Sequence, residues 1–268
     1  MPKTSTIQAE KVNDYIVNWL KDYAVNAKVS GFVVGISGGV DSAVTSALCA
    51  QTGLDTLCVE MPIHQAKSHI DRGREHVENL KKRFANVSCV EANLTNVFEA
   101  FKKEVPDEAE NPKLNLALAN TRARLRMTTL YYFAGLHGML VAGTGNKVED
   151  FGVGFFTKYG DGGVDVSPIA DLMKSDVYAL AKFLGVPRSI LSAAPTDGLF
   201  GDDRSDEDQL GANYDELEWA MTEMEKGSDG KSFSGREKEV FDIYSRLNRM
   251  NGHKMNPIPV CHIPPAFK

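Results

Sequence analysis

The sequence predicts an α/β fold, an open, twisted parallel sheet of about five strands with helices on both faces. Short β-branched apolar runs (FVVGI at 32–36, TLCVEM at 56–61, VSCVEA at 87–92, MLVAG at 139–143) alternate with stretches of helical periodicity. Strands that alternate with helices pair in parallel through right-handed crossovers. The first run is apolar throughout, as a strand covered on both faces must be. Across 268 residues there is no internal repeat and no composition shift that would mark a linker, so one domain over 1–268 is expected.

In chain order, 8–24 places Val12, Tyr15, Ile16, Trp19, Leu20 and Tyr23 at spacings of three and four, an amphipathic opening helix. After the first strand, Gly38 and Gly39 break the run, and a helix follows from about Ser42 to Gln51 with Gly53 as its terminator. Residues 65–84 carry Ile70, Val77, Leu80 and Phe84 on one helical stripe, and 95–104 is a short helix. A long helix over 114–137 is rich in Leu, Ala and Arg. Its Leu116, Leu118, Leu125, Met127, Leu130, Tyr131, Tyr132 and Phe133 cover more than one stripe, as burial on two sides requires. Residues 144–168 hold six glycines and little periodicity, a long loop of the kind kept for function. Helices return at 175–185, 214–226 and 235–251, the last opened by a capping box of Ser234 and Glu237.

Composition narrows the function classes. Hydrophobic residues at 43% and charged ones at 25% exclude disorder, collagen and coiled coil as the main architecture. A formal charge of −6 implies no wide basic face, which argues against nucleic acid as a partner. No apolar run approaches the roughly 18 residues of a bilayer span, and the opening MPKTSTIQAEKV lacks the apolar stretch of a secretion signal. Cys49, Cys58, Cys89 and Cys261 form no CxxC pair and read as buried, reduced thiols, so the expected compartment is the cytoplasm.

The most informative segment is GISGGVDSA at 35–43, set between a buried strand and a helix, where open α/β sheets place their ligand crevice. Gly38 and Gly39 let backbone N–H groups converge on an anion, Ser37 and Ser42 add hydroxyls, and the helix adds its positive end. Neither GxxxxGK[ST] nor GxGxxG occurs in the chain. Asp41 discriminates: a carboxylate in a phosphate cradle repels the ligand unless a cation lies between, so it predicts Mg2+ bound with a polyphosphate.

A second cluster lies in GTGNKVEDFGVGFFTKYGDGGVDVSPIADLMKSDV, residues 143–177. Thr144 and Glu149 follow a strand end on the same rim, where Glu149 can share the metal with Asp41. Lys158 and Lys174 offer charge to offset phosphate.

SGGVDS is the signature of the ATP pyrophosphatase family, and the whole chain resembles the short, ammonia-dependent NAD synthetases. The resemblance rests on GISGGVDS at 35–42, NTRARLRM at 120–127, GTGNKVED and GFFTKYGDGGVD within 143–165, Lys174, APTDGL at 194–199 and Gly252-His253-Lys254. It implies a Rossmann-like fold, a cytoplasmic homodimer with substrate between subunits, and no glutaminase domain. It also implies ATP-dependent amidation of deamido-NAD by ammonia through an acyl-adenylate, releasing AMP and pyrophosphate. By matching position, Gly35, Ile36, Ser37, Gly38, Gly39, Val40, Asp41 and Ser42 would hold ATP phosphates, with Thr144, Lys174 and Thr196 also facing ATP. Asp41 and Glu149 would bind Mg2+, and Arg124, Lys158, Asp165, His253 and Lys254 would contact deamido-NAD. Asp41, Lys158 and Lys174 form the expected catalytic set.

Two segments stand apart. MPIHQAKSHIDRG at 61–73, where such folds meet the adenosine, departs from the acid-rich versions of the family, and its His64 and His69 read as surface histidines. The acidic run 202–208 reads as a solvated loop or as a lid over ATP. Two rival readings are another ATP pyrophosphatase with a different acceptor and a non-catalytic nucleotide-binding module. Asp41, Glu149, Lys158 and Lys174 together argue against the second.

Overall fold

A computed structural model describes residues 7–106, 108–193 and 206–268. Thr196, the APTDGL stretch and most of the acidic run lie outside the described residues. The chain order is α1 (Ala9–Ala27), β1 (Gly31–Ile36), α2 (Val40–Gln51), β2 (Asp55–Glu60), α3 (Lys67–Arg83), β3 (Val87–Glu91), α4 (Thr95–Glu104), α5 (Leu114–His137), β4 (Leu140–Val141), a π-helical turn (Lys147–Val153), α6 (Lys174–Phe183), α7 (Arg188–Leu191), α8 (Asp206–Leu210), α9 (Tyr214–Glu225) and α10 (Gly235–Met255). The strands form a parallel sheet in the order β3-β2-β1-β4. The sheet therefore has four strands among the described residues. The fifth place holds a single parallel bridge, Ala142 to Val166, because the glycine-rich chain after β4 touches the sheet edge without running along it.

Alternation along β1 divides the core. Phe32 and Val34 face α1, α2, α3 and α6, while Val33 joins Leu57, Val59, Phe98 and Ala134 under α4 and α5. A third cluster packs α9 and α10 onto the π turn through Val148, Val153, Leu217, Met221 and Tyr244. The chain steps from β1 outward to β2 and β3, then returns past β1 to β4. That reversal opens a crevice at the carboxyl ends of β1 and β4, above which the glycine turn sits.

Several sequence expectations need correction. The opening helix buries Asn13, Ile16, Leu20 and Ala24, leaving Tyr15, Trp19 and Tyr23 exposed, since the two stripes share one period and only packing chooses between them. The 144–168 segment is not all loop, because the π turn occupies its middle. Ser234 precedes α10 without a side-chain cap bond. Helix α5 runs as expected but buries only Ala119, Ala123 and Ala134, so Leu116, Tyr132 and Leu136 face solvent in this single chain. The four cysteines are free, but only Cys49 and Cys58 are buried; Cys89 is half-buried and Cys261 exposed. No described helix is long and apolar enough to cross a membrane.

Helix α3 braces the first core through a buried polar pair. His76 Nε2 lies 2.9 Å from Ser46 Oγ, and the Ser46 hydroxyl donates to the Ser42 carbonyl at 2.7 Å. The imidazole therefore donates from Nε2, leaving Nδ1 as a buried acceptor without a partner. Burial, with the Arg83 charge, pushes the His76 pKa down to about 4. Between an unfolded value of about 6.5 and that point, only the unfolded chain takes the proton, so stability falls as pH falls, by about 3 kcal/mol in all. Thermal melts from pH 7 to pH 4.5 should show this loss, and His76→Asn should flatten the slope.

Candidate active site

The turn after β1 is folded by its own serines. Ser37 Oγ accepts from Gly39 N at 3.1 Å and lies 3.1 Å from Ser42 Oγ, which accepts from Ser37 N and donates to the Gly39 carbonyl at 3.0 Å. Gly38 has a φ of +81°, and a Cβ there would stand 2.3 Å from the His69 carbonyl oxygen, so glycine is required twice over. Helix α2 begins immediately, at Val40, and its first N–H groups have no intrahelical acceptor. An anion at this turn meets free amides and the positive end of a helix.

The turn forms one wall of a cavity of about 250 Å3. Every residue expected at the ATP phosphates from Gly35 to Ser42 lines it, as do Thr144, Glu149 and Lys174. The opposite wall is α5, whose Arg126 and Leu130 face in, with Arg126 Nε donating to the Met61 carbonyl at 3.0 Å. Arg122 stacks instead over the Phe98 ring at 4.3 Å, and Arg124 leaves the cavity. Arg122 and Arg126, four residues apart, share one face of α5, whereas Arg124, two residues from each, lies about 200° round the helix and points away.

At the cavity end three charges converge. Lys174 Nζ, on the first residue of α6, donates to Asp41 Oδ2 at 2.7 Å and to Glu149 Oε1 at 2.9 Å. Asn146 ties them together: its amide donates to Asp41 Oδ1 and its carbonyl caps the π turn at Glu149 N, both at 3.1 Å. Tyr214 from α9 donates to Glu149 Oε1 at 2.5 Å. Desolvation acts to raise Glu149, but Lys174's charge and the Tyr214 hydrogen bond hold it below its ordinary value. Desolvation raises Asp41, the Lys174 charge pulling against it and Glu149 adding to it. Desolvation would lower Lys174, yet two carboxylates hold its ammonium well above the ordinary range.

Two further carboxyls face the same space. The π turn brings Asp150 to the cavity beside Glu149, and the loop beyond brings Asp161. Desolvation, reinforced by Asp161, pushes Asp150 well above its usual range. Asp161 is exposed to the cavity space, and desolvation on its protein side pushes it up to about 6, against a hydrogen bond from Thr157 N. Sequence reasoning does not single out Asn146, Asp150, Asp161 or Tyr214. Asn146, Asp150 and Asp161 stand inside the quoted motifs, whereas nothing around Tyr214 signals that α9 folds back onto the site.

The donor set suits Mg2+. Asp41 and Glu149 offer hard oxygens that reach one common point, held by Lys174 Nζ. Among the described residues no cluster of three or more His, Cys, Asp or Glu is arranged to cage an ion. One or two carboxylates are what Mg2+ uses when phosphate and water complete its shell.

The residues expected at deamido-NAD gather elsewhere, outside the cavity. Arg124 Nε and Nη2 donate to the Lys158 carbonyl at 3.3 Å, Lys158 Nζ donates to the His253 carbonyl at 2.6 Å, and Lys254 Nζ donates to the Phe156 carbonyl at 2.7 Å. Asp165 is a brace: its carboxylate accepts from Val141 N at 2.8 Å and from the Tyr131 hydroxyl at 3.0 Å, tying β4 to α5.

The NAD synthase family matches residues 12–257. The ammonia-dependent NAD+ synthetase of Carboxydothermus hydrogenoformans is 35% identical over 246 residues, covering 91% of this chain and 94% of that protein. That of Mesoplasma florum is 39% identical over 206 residues, 76% and 81% of the two chains. Among solved structures, the NMN synthetase from Francisella tularensis superposes with a TM-score of 0.82 at 30% identity, covering 96% of this chain and 100% of that one. With a match of that extent, the chain belongs to the NAD synthase family and is a ligase of the α/β class.

Proposed function

We propose that this chain converts deamido-NAD to NAD with ATP and ammonia, through an acyl-adenylate, releasing AMP and pyrophosphate. The observation that carries the reading is the meeting of a prefolded anion turn with Asp41, Glu149 and Lys174 in one cavity. The turn amides and the start of α2 hold the triphosphate, and Thr144 lines the same wall, while Thr196 is assigned to ATP by resemblance alone. The acceptor carboxylate attacks the α-phosphorus, and Lys174 stabilises the charge that develops there. Asp41 and Glu149 would hold Mg2+, which when bound would supply Lewis-acid neutralisation of the phosphates. Asp161, which faces the cavity, takes the proton that ammonium must lose before it attacks the activated carbonyl. Arg124, Lys158, His253 and Lys254, backed by Asp165, hold the remainder of the acceptor.

Two further assignments follow. The exposed Leu116, Tyr132 and Leu136 of α5, beside an acceptor patch open to the surface, support a homodimer. Light scattering that returns a monomer at assay concentration would overturn it. The free thiols support a reducing, cytoplasmic setting.

A second acceptor has its own support. The likeness to an NMN synthetase favours a mononucleotide, nicotinate still attached to one ribose phosphate. Pyrophosphate release from ATP with Mg2+ and ammonium, measured with deamido-NAD, with nicotinate mononucleotide and with neither, separates the cases. Preference for deamido-NAD is expected. Release indifferent to both acceptors would move the chain to another acceptor, and no release would make it a binding module.

A further inference from the structure

Strand β2 ends on a carboxylate that the reaction leaves unused. Glu60 is 8% exposed, and only one of its oxygens is engaged. Arg74 Nε lies 3.5 Å from Oε2, and the same guanidinium donates to Glu91 Oε2 at 2.5 Å, which fixes the Glu60 side chain. Oε1 is buried and has no hydrogen-bond partner. An unpaired buried carboxylate oxygen is costly in the folded chain, and a donor arriving with a ligand would relieve that cost.

Glu60 lines a small cavity of about 10 Å3, room for one polar group, that shares Ile36, Ser37 and Met61 with the main cavity. It opens beside the anion turn. A Cβ on Gly73 would stand 3.7 Å from Gly38 N and 3.8 Å from Glu60 Oε1, so the missing side chain leaves the turn and the carboxylate side by side. In register, Glu60 pairs with Ile36 on β1, level with the start of the turn, and it follows Gly39 by 21 residues. In dinucleotide-binding α/β sheets, a carboxylate about 20 residues beyond the glycine turn accepts from a ribose hydroxyl of the nucleotide whose phosphates occupy that turn.

We propose that Glu60 Oε1 accepts a hydrogen bond from a ribose hydroxyl of ATP, making the site selective for ribonucleotides over deoxyribonucleotides. The ribose is favoured over the base amine because the small cavity adjoins the phosphate turn, and in ATP the sugar lies nearer the phosphates than the amine does. The proposal rests on the ATP reading of the anion turn.

The test is kcat/KM for pyrophosphate release with ATP, 2′-deoxy-ATP, 3′-deoxy-ATP and ITP, in wild type, Glu60→Ala and Glu60→Gln, with melts to confirm folding. Wild type should prefer ATP over at least one deoxynucleotide by about 10- to 100-fold, the worth of a hydrogen bond to a charged group. Glu60→Ala should bring that ratio toward unity, Glu60→Gln should fall between, and the ATP-to-ITP ratio should not move. Equal use of ATP and both deoxynucleotides by wild type would overturn the proposal. So would an unchanged deoxy ratio in a folded variant, or a shifted ITP ratio, which would assign Glu60 to the base. If Glu60→Ala fails to fold, wild type and Glu60→Gln decide alone. No release from any nucleotide defeats the ATP reading itself, and this proposal with it.

Discussion

Asp41→Asn should lower turnover by about a thousandfold or more and leave the fold intact. The amide has the same volume and keeps an oxygen for Asn146, so the start of α2 has no reason to move. What it loses is the charge that shares Lys174 with Glu149 and that would face Mg2+. Pyrophosphate release at saturating ATP reads the first effect, and a thermal melt within a few degrees of wild type reads the second. An Asp41→Asn variant fully active at low Mg2+ would make the metal assignment wrong.

Lys174→Met should harm both activity and stability. The lysine is 4% exposed, and its ammonium stands between two carboxylates at 2.7 and 2.9 Å. Removing it leaves like charges facing each other out of water, a loss on the order of 3–5 kcal/mol when one partner of a buried pair is deleted. For a chain of this size that lowers the melting temperature by roughly 10 °C. Turnover should fall as well, since the same group faces the phosphates. Lys174→Arg should not restore it, because a planar fork does not fit where a compact ammonium bridges two oxygens. Melting unchanged in Lys174→Met would show that the pair is already neutralised by a shared proton.

Much of this is legible in the residues. The helices at 95–104 and 114–137 coincide with α4 and α5 at both ends, because each is flanked by polar or glycine punctuation and has no competing pattern. The phosphate turn is legible because its chemistry is local: two glycines, two serines and an acid within six residues. The π turn is not. Its wider winding brings the consecutive Glu149 and Asp150 both to the cavity, and no period of two or 3.6 announces that. Tyr214 escapes a sequence reading for a different reason. Its partner Glu149 lies 65 residues earlier, and only the packing of α9 on the π turn brings them together. On α1 the apolar stripe reads correctly as helical, yet the aromatic half of it faces out, since periodicity locates a face without naming its neighbour.

The bridge made by Lys174 has a bearing on the order of loading. A divalent ion reaching the chamber alone would compete for two oxygens already satisfied by a tethered counter-ion, and would leave that ammonium without a partner. An ion escorted by a triphosphate brings new negative oxygens to which the lysine can swing. A metal ion would therefore load more readily in company with a triphosphate than alone.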